Sequence, residues 1–95
     1  MLINTPLKHG EVVTLKLVSS EEIVANFDND NGTEISVTKP MTLVAQKDSL
    51  GLAPYLFTIA SDEKVSFNKT AIICINRTEK DNALAYTNQT STIQL

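Results

Sequence analysis

Apolar and polar residues alternate with a period of two through the first third of the chain, and this alternation limits the fold more than any other feature. Two sets of three apolar residues recur at every second position: Val13, Leu15 and Leu17, then Ile23, Ala25 and Phe27. Successive side chains of a β-strand point to opposite faces of a sheet, so each set predicts one half-buried strand. The polar residues SSEE between the two sets predict a tight connection.

A third run, EISVTKPMTLVAQ, carries the alternation across a proline. Ile35 and Val37 precede Pro40, and Met41 and Leu43 follow it. Proline cannot donate a main-chain hydrogen bond, so within a strand it lies at a bulge, a bend or an edge. Because the apolar pattern resumes directly after the proline, the sequence predicts a bend or bulge at Pro40 rather than the end of a strand.

The rest of the chain predicts two further strands and one helix. LGLAPYLFTIA and KVSF indicate a fourth strand, interrupted at Pro54 and again at SDEK, and TAIICI indicates a fifth strand buried on both faces. TEKDNALAYTNQT is typical of a short helix, from about Glu79 to Asn88, in which Leu84 and Tyr86 are available for packing. The last residues, TSTIQL, have no clear period and are expected to form an extended arm or a frayed end.

These segments predict a single all-β domain over residues 1–95, with its strands within about residues 11–77. The net charge of −3 and the pI near 4.9 exclude the broad basic surface of a protein that binds duplex nucleic acid nonspecifically, so any nucleic-acid site must be small and local. No apolar run approaches the length of a membrane span. A single cysteine and the lack of an apolar signal segment at the start of the sequence lead us to expect a reducing cytosol.

Few residues in this sequence are suited to catalysis or metal binding. His9 is the only histidine, and a lone imidazole next to a glycine is expected in a surface turn. Cys74 lies in the apolar fifth strand, where we expect a small buried side chain rather than a nucleophile. Glu21 and Glu22 are adjacent, so a strand would point them to opposite faces, which does not suit paired acid and base catalysis. We therefore expect neither an enzyme, nor a cofactor, nor a metal site.

Two polar turns remain as candidate binding sites. DNDNGTE does not fit the calcium-loop pattern, because placing Gly32 at position six puts Phe27 at position one and Thr38 at position twelve. Asn31 followed by Gly32 instead predicts a hairpin turn, which either only connects strands or also contacts a ligand. The same two alternatives hold for the turn FNKT before the fifth strand, which contains Asn68 and Lys69.

The positions of the two turns resemble those of the Sm and Sm-like proteins, including their phage-type members, over roughly Val12 to Ile75. In SEEIVANF, four residues have the spacing of the first Sm motif: Ser20, Ile23, Ala25 and Phe27. Ser20 and Ala25 are small residues at positions where the family prefers glycine, and Ile23 and Phe27 are at its apolar positions. In FNKTAIICI, Asn68 and Lys69 stand where the second motif has Arg-Gly.

The resemblance implies a strongly bent, open barrel of five antiparallel strands. It also implies a homo-oligomeric ring of about five to seven copies, formed by edge-to-edge strand pairing, in the cytoplasm of a bacterial or phage-infected cell. In such a ring, Asn68 and Lys69 would face a central pore and contact single-stranded RNA, or DNA, with Asp28, Asn29 and Asn31 as further base contacts. The alternative is the same ring acting as a structural or interaction module without nucleic acid.

Overall fold

The chain folds as one strongly bent, unclosed antiparallel sheet with a short C-terminal helix, as the sequence predicts. The computed structural model describes residues 6–60 and 62–91. Within these described residues, six strands occur in chain order: β1 (Val12–Leu17), β2 (Glu22–Asp30), β3 (Glu34–Ala45), β4 (Leu50–Pro54), β5 (Lys64–Asn68) and β6 (Ile72–Arg77). A 3-10 turn at Lys69–Ala71 joins β5 to β6, and helix α1 spans Lys80–Ser91. The helix begins one residue later than predicted and extends further, whereas residues 92–95, the rest of the predicted arm, lie outside the described residues.

The predicted fourth strand is present as two segments that pair with one side of β3. The strand order is β4-β3-β2-β1-β6, and β5 also pairs with β3. The first half of β3 pairs with β5, from Glu34 opposite Asn68 to Thr38 opposite Lys64. The second half pairs with β4. The interruption predicted at Pro54 therefore explains why six strands are found rather than five.

A β-bulge at Lys39 and Pro40 lies between these two halves and confirms the predicted irregularity. Between the pairs Asn26 with Thr38 and Val24 with Met41, the β2–β3 register shifts by one residue. Lys39 has a φ of 52°, which is in the left-handed region. The additional residue reverses the alternation, so Met41 points to the opposite face from Ile35 and Val37.

The inner face of the bent sheet holds the main core. Nine residues form it: Val13, Leu15, Leu17, Ile23, Ala25, Phe27, Ile35, Val37 and Phe67. Eight of these nine are the alternating residues of the first three predicted strands, and all nine are at most 7% exposed. The period-two pattern thus correctly predicted the side chains that the first half of the chain contributes to the inner core.

Helix α1 covers part of the outer face and forms a second, smaller core. Tyr86 packs there with Val24 and Met41, and its hydroxyl donates a hydrogen bond to the Lys39 carbonyl at 2.6 Å. Tyr86 is only 1% exposed, and this burial raises its pKa. The expectation that Leu84 also packs is wrong, because the helix turns Tyr86 toward the sheet and leaves Leu84 54% exposed.

The prediction that the last strand is buried on both faces is wrong for the single chain. Ile73 is 62% exposed and Cys74 is also exposed, so Cys74 is not the buried side chain that we expected. Within the described residues, β6 pairs only with β1 and forms one edge of the sheet. The apolar sequence correctly indicated a strand, but α1 packs over β2 and β3 and leaves β6 uncovered.

Candidate functional site at the paired turns

The turn between β2 and β3 is built by two side chains that accept hydrogen bonds from its main chain. Asn31 Oδ1 accepts from the Thr33 amide at 3.0 Å and from the Glu34 amide at 2.8 Å, and also from the Thr33 hydroxyl. Asp30 Oδ1 accepts from the Gly32 amide at 2.9 Å. Gly32 has a φ of 101°, which glycine adopts without steric cost. The predicted hairpin is therefore present, and the carbonyl oxygen of Asn31 is already engaged within it.

The second turn, between β5 and β6, is organised in the same way. Asn68 Oδ1 accepts hydrogen bonds from the Thr70 amide at 3.0 Å and from the Thr70 hydroxyl at 2.9 Å. Asn68 thus caps the 3-10 turn that contains Lys69. As in the first turn, the amide oxygen is engaged locally, so the donor N–H groups are the part of Asn68 suited to contact a ligand.

The two turns are joined directly to each other. The Lys69 amide donates to the Thr33 carbonyl at 2.9 Å. The Lys69 ammonium lies 2.8 Å from Asp30 Oδ1, and both side chains are about two-fifths exposed. The hydrogen bond from Lys69 and that from the Gly32 amide lower the pKa of Asp30. The cation of the second turn is therefore paired with a carboxylate of the first.

Asp30 is the residue of this cluster that the sequence did not reveal. It lies one residue before Asn31, within the polar hairpin that the sequence predicts. Its role depends on β5 lying alongside β3, which brings Lys69 against the β2–β3 turn. No periodicity within β2 could have predicted this long-range pairing.

Asp28 is held in a different group of side chains. Asp28 Oδ2 accepts a hydrogen bond from Ser36 at 2.8 Å, and Oδ1 lies 3.2 Å from His9 and 3.5 Å from Lys64. These contacts, the Ser36 hydrogen bond first, lower the pKa of Asp28, whose side chain is only 10% exposed. None of its partners is among the residues that meet at the turns. Asn31 and Asn68 thus flank the Asp30–Lys69 pair, whereas Asp28 belongs to a separate cluster.

Asn29 is exposed on β2, opposite Ser36 in the register with β3. Asp28 is the additional residue of a second bulge in β2, between Phe27 and Asn29. The five residues proposed from sequence therefore do not form one continuous site. Three of them lie on or beside the paired turns, at Asn31, Asn68 and Lys69.

A separate apolar surface is formed by side chains of the segment that connects β4 to β5. Phe57 is 81% exposed, Ile59 is 43% exposed and Leu56 is 38% exposed. These residues line a cavity of about 250 Å³ together with Pro40 and Met41. The sequence predicts an interrupted strand over this segment and not an exposed apolar surface. Apolar exposure on this scale is more typical of contacts between proteins than of a nucleic-acid site.

No protein-family model matches the chain, and no curated protein sequence matches it. In residues 6–60 and 62–91, no three His, Cys, Asp or Glu side chains are grouped so that they could hold a metal ion. Over the same residues, no helix is long and apolar enough to cross a bilayer.

Proposed function

We propose that this chain is a subunit of an Sm-like ring that binds single-stranded RNA, or DNA, at the paired turns, with a role in nucleic-acid processing. The observation that supports this function best is the direct hydrogen bond between the two turns, from the Lys69 amide to the Thr33 carbonyl. It holds one cation and two amide side chains together at one end of the sheet. Repeated by symmetry, such a group gives a ring of amide donors and of lysines, each lysine paired with Asp30 until a nucleic-acid phosphate reaches it.

Ring formation is supported by the two open edges of the sheet. An edge strand carries unpaired main-chain N–H and C=O groups. The edge strand β6 also carries the exposed apolar side chain of Ile73. Pairing of β6 in one copy with the opposite edge of the next would satisfy those groups and would cover Ile73. Because this contact joins two different surfaces, it repeats from copy to copy, and it closes into a ring when the rotation between neighbouring copies divides a full turn. The apolar sequence of β6, which is exposed in the single chain, is thereby explained.

The hydrogen-bond geometry limits what the turns can recognise. Both Asn31 and Asn68 use their amide oxygens inside their own turns, so the N–H groups are the part of each side chain suited to contact a ligand. Donors of this kind bind the acceptor positions of bases, such as carbonyl oxygens and ring nitrogens. Lys69 supplies a compact charge for a phosphate without the planar stacking surface of an arginine. We therefore expect modest affinity and limited base selectivity.

The first experiment measures oligomeric state and strand binding on the same preparation. Light scattering at micromolar concentration is expected to give about five to seven copies, and a monomer would refute the ring. Fluorescence anisotropy with labelled U-rich and A-rich single strands, over a salt series, then measures affinity. Lys69→Ala is expected to weaken nucleic-acid binding without dissociating the oligomer. Lys69→Glu is expected to abolish that binding, because each subunit then places a negative charge against the phosphates.

Lys16→Glu is the matched control, because Lys16 is exposed on β1 and belongs to neither turn. It makes the same change of two charge units as Lys69→Glu and is expected to reduce affinity much less. Equal effects at the two positions would show that binding follows net charge and does not involve the turns.

A second candidate function is a ring that acts as a structural or interaction module without nucleic acid. It is favoured by the exposed apolar side chains of Phe57 and Ile59 and by the net charge of −3. The same measurements separate the two functions, because this candidate predicts a stable oligomer with no strand binding even at low salt.

A further inference from the structure

The ion pair between Asp30 and Lys69 places a negative charge where the proposed function needs a phosphate. We propose that Asp30 is a built-in competitor, which occupies the Lys69 ammonium until the phosphate of a bound single strand displaces it. This inference rests on the proposed function, since it assigns a regulator to the same pair of turns. It predicts that the affinity for single strands is set by a carboxylate that makes no favourable contact with the nucleic acid.

The geometry allows the ammonium to move without disturbing the turn. The Lys69 backbone is fixed by its hydrogen bond to the Thr33 carbonyl at 2.9 Å, which does not involve the side chain. Asp30 is fixed separately, because its Oδ1 also accepts from the Gly32 amide at 2.9 Å. The Lys69 and Asp30 side chains are 41% and 43% exposed, so a phosphate can approach the pair from solvent. Exchange of carboxylate for phosphate therefore requires only rotation of the lysine side chain.

The exposure of the pair also limits how strongly it competes. Measured coupling within exposed ion pairs corresponds to a change of roughly 1.4-fold to fivefold in an equilibrium constant. Asp30 is therefore expected to weaken binding rather than block it. A single-stranded nucleic acid that contacts several subunits of a ring would have to displace Asp30 in each one, and the reductions in its binding constant would multiply.

The salt dependence provides a more specific signature than the affinity. When a phosphate displaces Asp30, the released carboxylate takes up a cation from solution. This uptake offsets one of the cations that the nucleic acid releases, so the net number of cations released on binding is smaller. Without that carboxylate, the logarithm of the binding constant should fall more steeply with the logarithm of salt concentration. The slope should steepen by up to about 0.7 for each lysine that contacts a single strand.

Asp30→Asn is the decisive variant because asparagine keeps the oxygen that accepts from the Gly32 amide and removes only the charge. The matched control is Asp48→Asn, which removes the same charge from the exposed turn between β3 and β4. With a labelled U-rich strand, Asp30→Asn is expected to bind about 1.4-fold to fivefold more tightly per contacting subunit, with a steeper salt slope. Asp48→Asn is expected to give a smaller gain and an unchanged slope. Adding Lys69→Ala should abolish the gain from Asp30→Asn.

Three outcomes would overturn the inference. If the wild type binds and Lys69→Ala weakens binding, but Asp30→Asn behaves as Asp48→Asn does, Asp30 is not a competitor and the proposed function stands. If Asp30→Asn gains affinity equally with and without Lys69, the gain reflects net charge alone. If no variant, including Asp30→Asn, binds the strand at low salt, the competitor and the nucleic-acid function both fail.

Discussion

Removal of the Tyr86 side chain should detach α1 from the sheet while leaving the inner core intact. Tyr86 is 1% exposed and belongs to the outer core with Val24 and Met41. Truncation of a fully buried aromatic side chain to alanine costs about 3–5 kcal/mol. Tyr86→Phe keeps the ring and removes only the hydroxyl, with its 2.6 Å hydrogen bond to the Lys39 carbonyl, which should cost about 1 kcal/mol. Two variants at one position therefore separate packing from hydrogen bonding.

Leu84→Ala provides the comparison within the same helix. Leu84 is 54% exposed, so its truncation should change the free energy of unfolding by no more than about 0.5 kcal/mol. Urea unfolding followed by far-ultraviolet circular dichroism measures the three costs. Amide hydrogen exchange then locates them, with protection lost in α1 for Tyr86→Ala and retained in β1 and β2. If Leu84→Ala costs as much as Tyr86→Ala, or if α1 keeps its protection without Tyr86, the packing described for the outer core is wrong.

Three further predictions concern the bulge, the second turn and the response to acid. Lys39→Val should lower the free energy of unfolding by about 1–3 kcal/mol because a β-branched residue is strained at a φ of 52°, and Lys39→Gly should not; urea unfolding of both variants tests the order. Asn68→Ala should cost about 1 kcal/mol in thermal unfolding through loss of its cap, whereas Asn68→Asp keeps the accepting oxygen. The pKa of Asp28 is lowered in the folded state, so its contribution to stability is complete above the ordinary value of 3.8 and disappears as pH falls through the lower folded value. The free energy of unfolding, measured against pH, should fall less steeply in acid for Asp28→Asn than for the wild type. An unchanged pH profile would contradict the hydrogen bond from Ser36.

The inner core could be predicted from sequence because it depends on a local rule. Val13, Leu15 and Leu17 occupy alternate positions on one strand, and each position determines its own face. The bulge was predictable for a similar reason, because Pro40 interrupts an alternation that continues on both sides. Such features need no knowledge of which strands are neighbours.

The outer core and the ion pair depend on contacts between distant parts of the chain. Tyr86 meets the Lys39 carbonyl 47 residues away, and the helical pattern alone could not distinguish Tyr86 from Leu84 as the buried residue. Asp30 pairs with Lys69 only because β5 lies alongside β3. The exposure of Cys74 likewise follows from where the helix packs and not from the apolar sequence of its strand. Sequence patterns therefore predicted the strands more accurately than the partners of each surface.

The bulge in β3 also determines which changes in chain length this fold can accept. Ile35 and Val37 face the inner core, whereas Met41, an even number of positions further on, faces the helix. Gain of one more residue between Val37 and Met41 would exchange the faces of every residue that follows, whereas loss of one would restore simple alternation, keep those faces and remove the bulge. Substitutions there change one side chain, but an insertion changes the orientation of half a strand and a deletion removes its bulge. Over time this segment can vary in composition while its length stays fixed, whereas the exposed turn at residues 46–49 can vary in both.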